Sequence, residues 1–426
     1  MRSYHLWTIG CQMNTADSER LGSALEHLGL VPVDKPGDAD VVVLNSCVVR
    51  QSAEEKVVGT LTSWQPIKKK NPDQVFALMG CMVGPDTSQL QRQFPHVDLF
   101  MRPQQFAPLL EMVGQRLDLD WEECLDSLTP NRPGPTCFVP IIHGCDLMCT
   151  FCIIPYRRGR QVSRPVDEVA REVELLSARG VKEVTLLGQT VDAYGHDLAD
   201  KPDLADLLTR LNDIDGLERI RFLTSHPSFM SDRIIDSVAS LPKVCEHINL
   251  PVQSGDDNVL TRMRRPYTSG EYLAVINRIK DALPNVSLST DVIVGFPGET
   301  DEEYQRSLDL VAQVRFDKVH IAAYSPRPGT IAHKTMADDI GLEVKTERRV
   351  GLENLQEKIL TEVNARLVGR EEEILVEGRL RGKWQGRTRS NKLVYFQHQD
   401  DYLGQLVRVK ITHSTPWSLQ ASLAAA

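Results

Sequence analysis

The sequence at residues 143–160 reads HGCDLMCTFCIIPYRRGR and decides how the rest of the chain is read. Cys145, Cys149 and Cys152 follow one another at spacings of four and three residues, directly after a strand-like run at residues 137–142. Thiolates ligate iron–sulfur clusters, and a cubane cluster has four irons to satisfy. Three close cysteines, with no fourth in the same segment, therefore predict a cluster with one iron open to another ligand. Such a cluster suits chemistry rather than electron transfer alone.

The main alternative for these three cysteines is a zinc site. Structural zinc sites usually pair C-x₂-C units with each other or with histidines at set spacings. No such pairing stands in this segment, so the spacing favours an iron–sulfur cluster.

Length and composition indicate an ordinary globular protein of two or three domains. The chain has 426 residues, a net charge of −9 and 41% hydrophobic residues. No apolar run approaches the ~20 residues that span a bilayer, and the N-terminus lacks a signal-peptide pattern. We expect a cytoplasmic monomer with no membrane partner. In that compartment thiols stay reduced, and the nine cysteines, an odd number placed in short motifs, favour metal over disulfides.

Residues 1–115 predict an open parallel sheet covered by helices. Strand patterns at 5–9, 41–44 and 75–79 alternate with helix patterns at 17–28 and 52–70.

A cysteine follows each of these three strands: Cys11, Cys47 and Cys81. Because sites in parallel sheets form at the carboxyl ends of the strands, we expect the three to converge on one edge. The pattern favours a second cluster, with three buried core cysteines as the alternative.

The middle of the chain predicts a partial barrel. A linker at 116–135 is followed by six βα repeats within 136–362, with strands expected at 137–142, 183–187, 219–224, 247–251, 287–294 and 318–324. Helices are expected between them, for example at 166–179 and 301–314. Such a barrel carries its site on the C-terminal loops of the strands. The predicted fold class is thus α/β: an open parallel domain at 1–115, a partial (β/α)₆ barrel and a small all-β domain at 363–426.

Polar and turn-forming residues at the ends of the barrel strands are candidates for binding a small polar cofactor, although each also fits an ordinary turn. For His226, in one of these loops, a structural role is favoured over catalysis. The candidates are Gly188, Gln189, Ser225, Gln253, Asp291 and Tyr324.

The C-terminal segment combines β-like runs with concentrated positive charge. Short runs stand at 374–377, 393–396 and 406–411, and residues 379–392 hold six Lys or Arg and no acid, beside Trp384 and Tyr395. Residues 364–426 carry a net +4 against −13 for the remainder. This segregation favours RNA binding over a basic face without a partner.

Several stretches then carry a family resemblance. They are GCQMN at 10–14 with DSE at 17–19, VR at 49–50 with AEEK at 53–56, PY at 155–156 before RG at 158–159, VSRP at 162–165 and PWSL at 416–419. With the CxxxCxxC spacing, residues 4–420 resemble the methylthiotransferase family of radical SAM enzymes. Within it they are most similar to the MiaB branch, which forms 2-methylthio-N6-dimethylallyladenosine in tRNA.

The resemblance implies two 4Fe–4S clusters and S-adenosylmethionine (SAM) as cofactors. It implies that Cys145, Cys149 and Cys152 hold the SAM cluster, while Cys11, Cys47 and Cys81 hold an auxiliary cluster that takes part in sulfur transfer. The implied partners are the anticodon loop of tRNA, an external electron donor and a sulfur source. A C-terminal TRAM domain would grip the tRNA, with Arg157 and Arg160 also lining its approach. The RNA contacts expected on this basis are Arg158, Arg164, Arg387, Arg389 and Lys392.

The sequence departs from the family pattern at three places, none of them a cluster ligand. Thr190 stands where Asn is usual, Arg157 where Thr is usual, and Val83-Gly84 where Ala-Gln is common. Alternatives are a sister enzyme acting on threonylcarbamoyl-adenosine tRNA or on a ribosomal protein side chain, and a non-catalytic iron–sulfur RNA-binding regulator. The basic C-terminal segment favours RNA over protein, and the candidate cofactor loops argue against a regulator.

Overall fold

The computed structural model describes residues 1–48, 51–125, 128–131 and 133–424. These form two compact units, one from the described residues of 1–132 with 143–146 and 153–162, the other from 133–142, 147–152 and the chain from 163 onward. Val49 and Arg50 of the family resemblance lie outside the described residues, as do residues 126, 127 and 132 of the predicted linker and the last two residues of the predicted C-terminal domain.

The first unit contains a five-stranded sheet of order β2-β1-β3-β4-β5 in which every pair is parallel. Its strands are β1 (Ser3–Thr8), β2 (Val31–Pro32), β3 (Val41–Ser46), β4 (Val75–Gly80) and β5 (Leu99–Met101). Its helices are α1 (Gln12–His27), α2 (Gln51–Lys70), α3 (Ser88–Gln93) and α4 (Ala107–Leu117). The open parallel fold expected at the N-terminus is confirmed. The short edge strands β2 and β5 are additions to the sequence prediction.

The central strands of this sheet explain its burial. All six residues of β3 and all six of β4 are buried, as expected of a parallel sheet covered on both faces. Leu21 and Leu25 of α1 and Leu109 of α4 complete the core against these strands. Helix α1 begins at Gln12, five residues earlier than predicted, and Cys11 is its N-cap residue.

The second unit contains six parallel strands that follow one another around a partial barrel. Its first strand is β6 (Thr136–Pro140). The cysteine segment that follows carries β7 (Ile142–His143), α5 (Ile154–Arg158) and β8 (Val162–Ser163), and of these α5 belongs to the first unit. The remaining barrel strands are β9 (Glu183–Leu187), β10 (Arg219–Phe222), β11 (His247–Asn249), β12 (Ser287–Val294) and β13 (Lys318–Ala323).

Strands β6, β9 and β10 form one parallel sheet and β11, β12 and β13 another. A parallel bridge between Ile220 and Val244 joins β10 to the residues before β11. The helices that cover them are α6 (Val166–Ala178), α7 (Leu204–Asn212), α8 (Asp232–Ser240), α9 (Asp257–Arg262), α10 (Ser269–Ala282), α11 (Asp301–Val314), α12 (Ile331–Thr335) and α13 (Leu342–Ala365). The predicted six-unit partial barrel is confirmed.

The C-terminal part of the second unit is a closed five-stranded barrel of order β14-β15-β16-β18-β17. Its strands are β14 (Glu371–Leu380), β15 (Lys383–Thr388), β16 (Leu393–Phe396), β17 (Leu406–Ser414) and β18 (Leu419–Leu423). The sequence prediction missed β15 and β18. Strand β15 reads KWQGRT and buries Trp384, Gly386 and Thr388 on alternate positions, so its inward face includes a glycine and a threonine rather than an apolar series.

None of the helices in the described part of the chain combines the length and apolar character needed to cross a membrane.

Candidate functional site

The three N-terminal cysteines stand at the carboxyl edge of the first sheet. Strand register pairs Ser46 with Gly80, so Cys47 and Cys81 each follow a paired residue. The Cys81 N–H donates to the Ser46 carbonyl at 2.9 Å. Cys11 follows β1, whose register pairs Thr8 with Asn45 just before Cys47. The predicted convergence on one edge follows from this register.

A buried asparagine pair joins these strand ends to helix α1. The Cys11 thiol donates to Asn14 Oδ1 at 3.2 Å, and Asn14 Nδ2 donates to Asn45 Oδ1 at 2.8 Å and to the Ser46 carbonyl at 3.0 Å. Asn45 Nδ2 returns a hydrogen bond to the Asn14 carbonyl at 2.8 Å. No pattern in the sequence singles out this pair, although Asn14 and Asn45 lie within three residues of Cys11 and Cys47.

Arg158 lies beside the same cysteines. Its Nη2 is 3.0 Å from Asp17 Oδ2, and the two side chains are 2% and 1% exposed. The guanidinium also interacts with the thiols of Cys81 and Cys11. Burial raises the pKa of the Cys81 thiol, and the positive charge of Arg158 opposes that rise. The sequence therefore placed Arg158 wrongly: a buried, ion-paired guanidinium is a support of the cysteine edge and not an RNA contact.

Two hydrogen-bond donors at this edge lack an acceptor within the described residues: Nη1 of Arg158 and Nε of Arg157. An orphaned buried donor is costly unless an acceptor that is not part of the chain satisfies it. Within the same residues, no three His, Cys, Asp or Glu side chains are grouped closely enough to hold a metal ion. A four-iron cluster separates its thiolates more widely than a single ion does, and its sulfides accept hydrogen bonds. Three cysteines with two cationic donors fit such a cluster.

The cysteine segment is divided between the two units: Cys145 belongs to the first, and Cys149 and Cys152 belong to the second. In the first unit the Cys145 N–H donates to the Gly159 carbonyl at 3.1 Å. In the second unit the Cys152 N–H donates to the Cys149 carbonyl at 3.1 Å. There, Thr150 Oγ1 also donates to the Arg262 carbonyl at 2.9 Å.

Arg265 supplies a cationic donor to one cysteine of this segment. Its Nη1 lies 3.6 Å from Cys149 Sγ, while Nε donates to Tyr267 Oη at 2.7 Å and Nη2 to the Pro251 carbonyl at 3.0 Å. Hydrogen bonds to the sulfur ligands of a cluster tune its reduction potential, so this contact suits a cluster thiolate. Arg265 stands 116 residues after Cys149, and no local motif connects the two.

Of the predicted cofactor-binding positions, Ser225 gives the most direct sign of a ligand. Its Oγ is buried without a hydrogen-bond partner among the described residues, and so is Nε2 of the neighbouring His226. Thr224 and Gln253, at the ends of the third and fourth barrel strands, adopt positive φ angles of 68° and 73°. Such strain in non-glycine residues clusters at functional sites.

The remaining candidates for cofactor binding lie at or near the same strand ends, and the contacts of most of them are those of ordinary packing and backbone hydrogen bonding. A Cβ at Gly188 would lie 2.1 Å from Ile142 Cγ2, so close packing alone requires this glycine. Gln189 is half-buried. The Asp291 carbonyl accepts the Gln253 N–H at 2.8 Å, and the buried Tyr324 ring packs 5.1 Å from Phe296. Their roles in cofactor binding stay predictions.

Asp192 and His226 form a buried pair, of which only His226 is a candidate from the sequence. The His226 N–H donates to both carboxylate oxygens of Asp192, at 2.9 and 2.8 Å. Burial raises the pKa of Asp192 to about 8 and lowers the pKa of His226 to about 3. His226 is therefore a neutral imidazole at physiological pH.

Arg164 is a second correction to the expected RNA contacts. Its Nη2 lies 2.6 Å from Glu172 and 2.8 Å from Glu168, and Nη1 donates to the Pro140 carbonyl at 2.8 Å. Its side chain is 10% exposed, because it ties α6 to the end of β6.

The three C-terminal candidates are engaged within the second unit. Arg389 pairs with Glu246 at 2.8 Å and Lys392 pairs with Asp317 at 2.6 Å. Glu246 and Asp317 directly precede β11 and β13, so these ion pairs join the small barrel (β14–β18) to the base of the partial barrel, where its strands begin. Arg387 lies 3.5 Å from Glu377 and donates to Asn391. The pairing assigns Arg389 and Lys392 to packing between the barrels, and an RNA contact of either stays a prediction, as it does for the half-exposed Arg387.

Other basic residues of the small barrel do face solvent. Three of them lie together at the β14–β15 turn, and we call them the outer basic face: the exposed Arg379 and Arg381 and the half-buried Lys383. The Arg379 guanidinium lies 5.3 Å from the centroid of the Trp384 ring, which holds it on that surface.

Fold and site together define a class: a partial β/α barrel with a three-cysteine loop, preceded by a parallel cysteine-bearing domain and followed by a small β-barrel. Residues 139–311 match the radical SAM superfamily, residues 3–102 the uncharacterized protein family UPF0004, and residues 365–424 the TRAM domain. Among solved structures, the radical SAM methyltransferase TsrM from Kitasatospora setae aligns with a TM-score of 0.61 at 15% identity, covering 78% of this chain and 77% of that one. The cobalamin-dependent radical enzyme OxsB aligns at 0.53 with 12% identity, covering 84% and 56%. These likenesses show the fold.

Sequence comparison narrows the class. A protein of Roseiflexus sp. (strain RS-1), named tRNA-2-methylthio-N(6)-dimethylallyladenosine synthase, is 51% identical over 99% of this chain and 90% of its own length. Proteins of the same name from Herpetosiphon aurantiacus and Dehalococcoides mccartyi (strain CBDB1) are each 49% identical over 99% of this chain, covering 97% and 99% of their own lengths. The chain belongs to the tRNA-2-methylthio-N(6)-dimethylallyladenosine synthase family.

Proposed function

We propose that this chain is a radical SAM methylthiotransferase that adds sulfur and a methyl group at C2 of N6-dimethylallyladenosine beside the tRNA anticodon. The observation that carries the proposal is the near-50% identity, over 99% of the chain, to proteins named for this reaction. The two cysteine sets and the C-terminal barrel support it, because the reaction needs a radical source, a sulfur site and a grip on RNA.

Residues of the chain divide these tasks. Cys145, Cys149 and Cys152 would hold the cluster that, with SAM bound, supplies one-electron reductive cleavage of SAM. Arg265 would stabilise the thiolate of Cys149, and the orphaned Ser225 hydroxyl would contribute a polar contact to SAM.

The edge formed by Cys11, Cys47 and Cys81 would hold the auxiliary 4Fe–4S cluster. Arg158 would compensate its negative charge, since its guanidinium interacts with the thiols of Cys81 and Cys11 and its buried Nη1 finds no acceptor among the described residues. The reaction also requires an electron donor and a source of sulfur, and these would come from outside the chain.

RNA would be held by the outer basic face rather than by the basic residues that pair with the partial barrel. A loop adenine is unstacked and reachable, which is the usual mode of sequence-specific RNA recognition.

The test is to incubate the reconstituted enzyme with SAM, a strong reductant and matched tRNAs with and without the dimethylallyl group. Mass spectrometry of the nucleosides should show methylthio product only on the modified tRNA. Equal turnover of both tRNAs would contradict the assignment. Product on threonylcarbamoyl-adenosine tRNA or on a ribosomal protein instead would assign the chain to a sister activity.

A matched pair of variants assigns the two cysteine sets. The triple Cys11/Cys47/Cys81→Ala variant should bind about half the iron, still release 5′-deoxyadenosine and make no methylthio product. The triple Cys145/Cys149/Cys152→Ala variant should keep the other half of the iron and do neither. Circular dichroism must show both variants folded, because metal loss can unfold a domain.

A further inference from the structure

Arg157 and Gly84 are in unusually close contact near the auxiliary cysteine edge. A Cβ placed on Gly84 would stand 2.1 Å from Arg157 Nη1 and 3.4 Å from its Cζ. The next nearest atom, the Asp86 carbonyl oxygen, is 3.9 Å away. The space above Gly84 is therefore taken by the guanidinium of Arg157, and any side chain at position 84 would displace it.

The Arg157 backbone is fixed, whereas its guanidinium is incompletely satisfied. Its carbonyl accepts a hydrogen bond from Arg102 Nη2 at 3.1 Å, which anchors this end of α5 beside the end of β5. Its Nε is buried and finds no acceptor among the described residues. The Arg157 charge is close enough to interact with the Cys81 thiol and with Glu54.

Its neighbour Arg158 differs in a way that separates their roles. The Arg158 side chain is 2% exposed and forms an ion pair with Asp17 at 3.0 Å, so its charge is already committed to a fixed anionic group. Arg157 is less deeply buried than Arg158, so it stands at the border between the cysteine edge and solvent. A cation at such a border suits an anion that arrives, binds and leaves.

We propose that Arg157, admitted by the absence of a side chain at Gly84, binds the small anionic sulfur species that enters at the auxiliary cluster. This rests on the proposed function, in which Cys11, Cys47 and Cys81 leave one iron open. The ligand class is a hydrosulfide, polysulfide or alkanethiolate. The guanidinium attracts its charge and donates to its sulfur from the side of Cys81. Arg157 and Gly84 are also two of the places where the sequence departs from the family pattern, and the contact joins them.

The experiment titrates methanethiolate into the fully reconstituted enzyme and follows the cluster signal by electron paramagnetic resonance after reduction. Arg157→Gln should weaken methanethiolate binding about tenfold or more, as expected when a charge-assisted hydrogen bond is removed. Arg157→Lys should lie between, since it keeps the charge but not the planar donors. Arg92→Gln, an exposed arginine of the same unit, should bind as the wild type does and controls for net charge.

Gly84→Ala tests the steric coupling independently of the arginine. It should weaken methanethiolate binding in the wild-type background and have no further effect when Arg157 is already Gln. Additive effects of the two substitutions would overturn the coupling.

Iron content separates failure of this inference from failure of the proposed function. Two-cluster iron content with wild-type affinity in Arg157→Gln would overturn the inference alone. The same holds for weaker tRNA binding with methanethiolate binding unchanged, which would make Arg157 an RNA contact. Half the expected iron in the wild type, with no further loss in the triple Cys11/Cys47/Cys81→Ala variant, would remove the auxiliary cluster, and the inference with it.

Discussion

The thiols of the chain differ sharply in their surroundings, and this sets their reactivity. Cys11 is exposed, whereas Cys245 is buried beside Arg221 and Glu183. Burial raises the pKa of Cys245 to about 11. Because the thiolate is the reactive form, about one Cys245 in a thousand would be reactive at pH 8 even if reagent could reach it.

Brief alkylation of the metal-free protein at pH 8 should therefore modify Cys11 and spare Cys245. Reconstitution with iron and sulfide should protect Cys11, since a cluster ligand is not free to react. Peptide mass spectrometry measures both, and unfolded protein serves as the control in which both cysteines react. Labelling of Cys11 that persists unchanged at full iron content would contradict its assignment as a ligand.

His247 is a buried histidine in cationic surroundings. Burial, with Arg221, Arg387 and Lys392 nearby, lowers the pKa of His247 to about 3, against about 6.5 in an unfolded chain. Between these values the unfolded state binds a proton that the folded state does not. Stability due to this group is thus present above pH 6.5 and is lost as the pH falls toward 3.

Replacing His247 with Gln should flatten the decline of stability on acidification. Between pH 6 and pH 4 the wild-type metal-free protein should lose about 1.4 kcal/mol per pH unit more than the variant does. Urea unfolding at a series of pH values measures the difference. Parallel curves for the two proteins would show that His247 is already protonated in the folded state.

At the scale of elements, buried arginines join the base of the partial barrel to the small barrel. Arg221, on β10, donates through Nε to Glu183 on β9 at 2.7 Å, and through its other nitrogens to the carbonyls of Arg389 and Thr388 at 2.6 Å each. Arg219 reaches Glu373 of β14 at 3.0 Å. The small barrel is thus held through its backbone carbonyls, which accept hydrogen bonds from the buried Arg221 guanidinium. The planar guanidinium can donate to several acceptors at once.

Arg221→Met should destabilise the protein by about 3 kcal/mol, because it leaves the Glu183 carboxylate buried and two carbonyls without their donor. Denaturant unfolding of the metal-free protein gives the change. Arg233→Met is the matched control: Arg233 pairs with Asp203 and Asp206 at the surface with 63% of its side chain exposed, so its replacement should have no measurable effect. Equal effects of the two substitutions would contradict the role of burial.

At the scale of the whole molecule, positive charge is concentrated in the last 63 residues of an otherwise acidic chain. The ion pairs of Arg389 and Lys392 remove part of that charge from the surface. What remains for a polyanion is the outer basic face, led by Arg379 and Arg381 at the β14–β15 turn.

Arg379→Ala with Arg381→Ala should weaken tRNA binding and lower the log–log salt slope by roughly one for each phosphate that the protein no longer neutralises. Arg389→Ala should instead lower the unfolding temperature, with a smaller change in the salt slope, because its partner is Glu246. Filter binding across a salt series and thermal unfolding measure the two effects. A larger change of slope in Arg389→Ala than in the double variant would place the RNA on the opposite side of the small barrel.

The sequence by itself determined the order and type of the main elements. Apolar runs of strand length between helix patterns encode a parallel sheet and a βα barrel, since side-chain periodicity follows directly from backbone geometry. The grouping of six cysteines into two sets also follows from the sequence. Three of them share one loop, and the other three follow successive strands, which a parallel sheet must bring to one edge. The edge strands β2 and β5 escaped because two and three residues show no clear period, and β18, which reads LQASL, escaped because it buries only Leu419.

Only the tertiary structure decided which basic side chains face solvent and which pair with a distant residue. Arg158 finds Asp17 across 141 residues, Arg265 finds Cys149 across 116, and Arg389 finds Glu246 across 143. A basic run reads the same in sequence whether its guanidiniums face solvent or a carboxylate on another element. Ion pairing depends on distance in space and on burial, and local periodicity carries no information about contacts between residues so far apart.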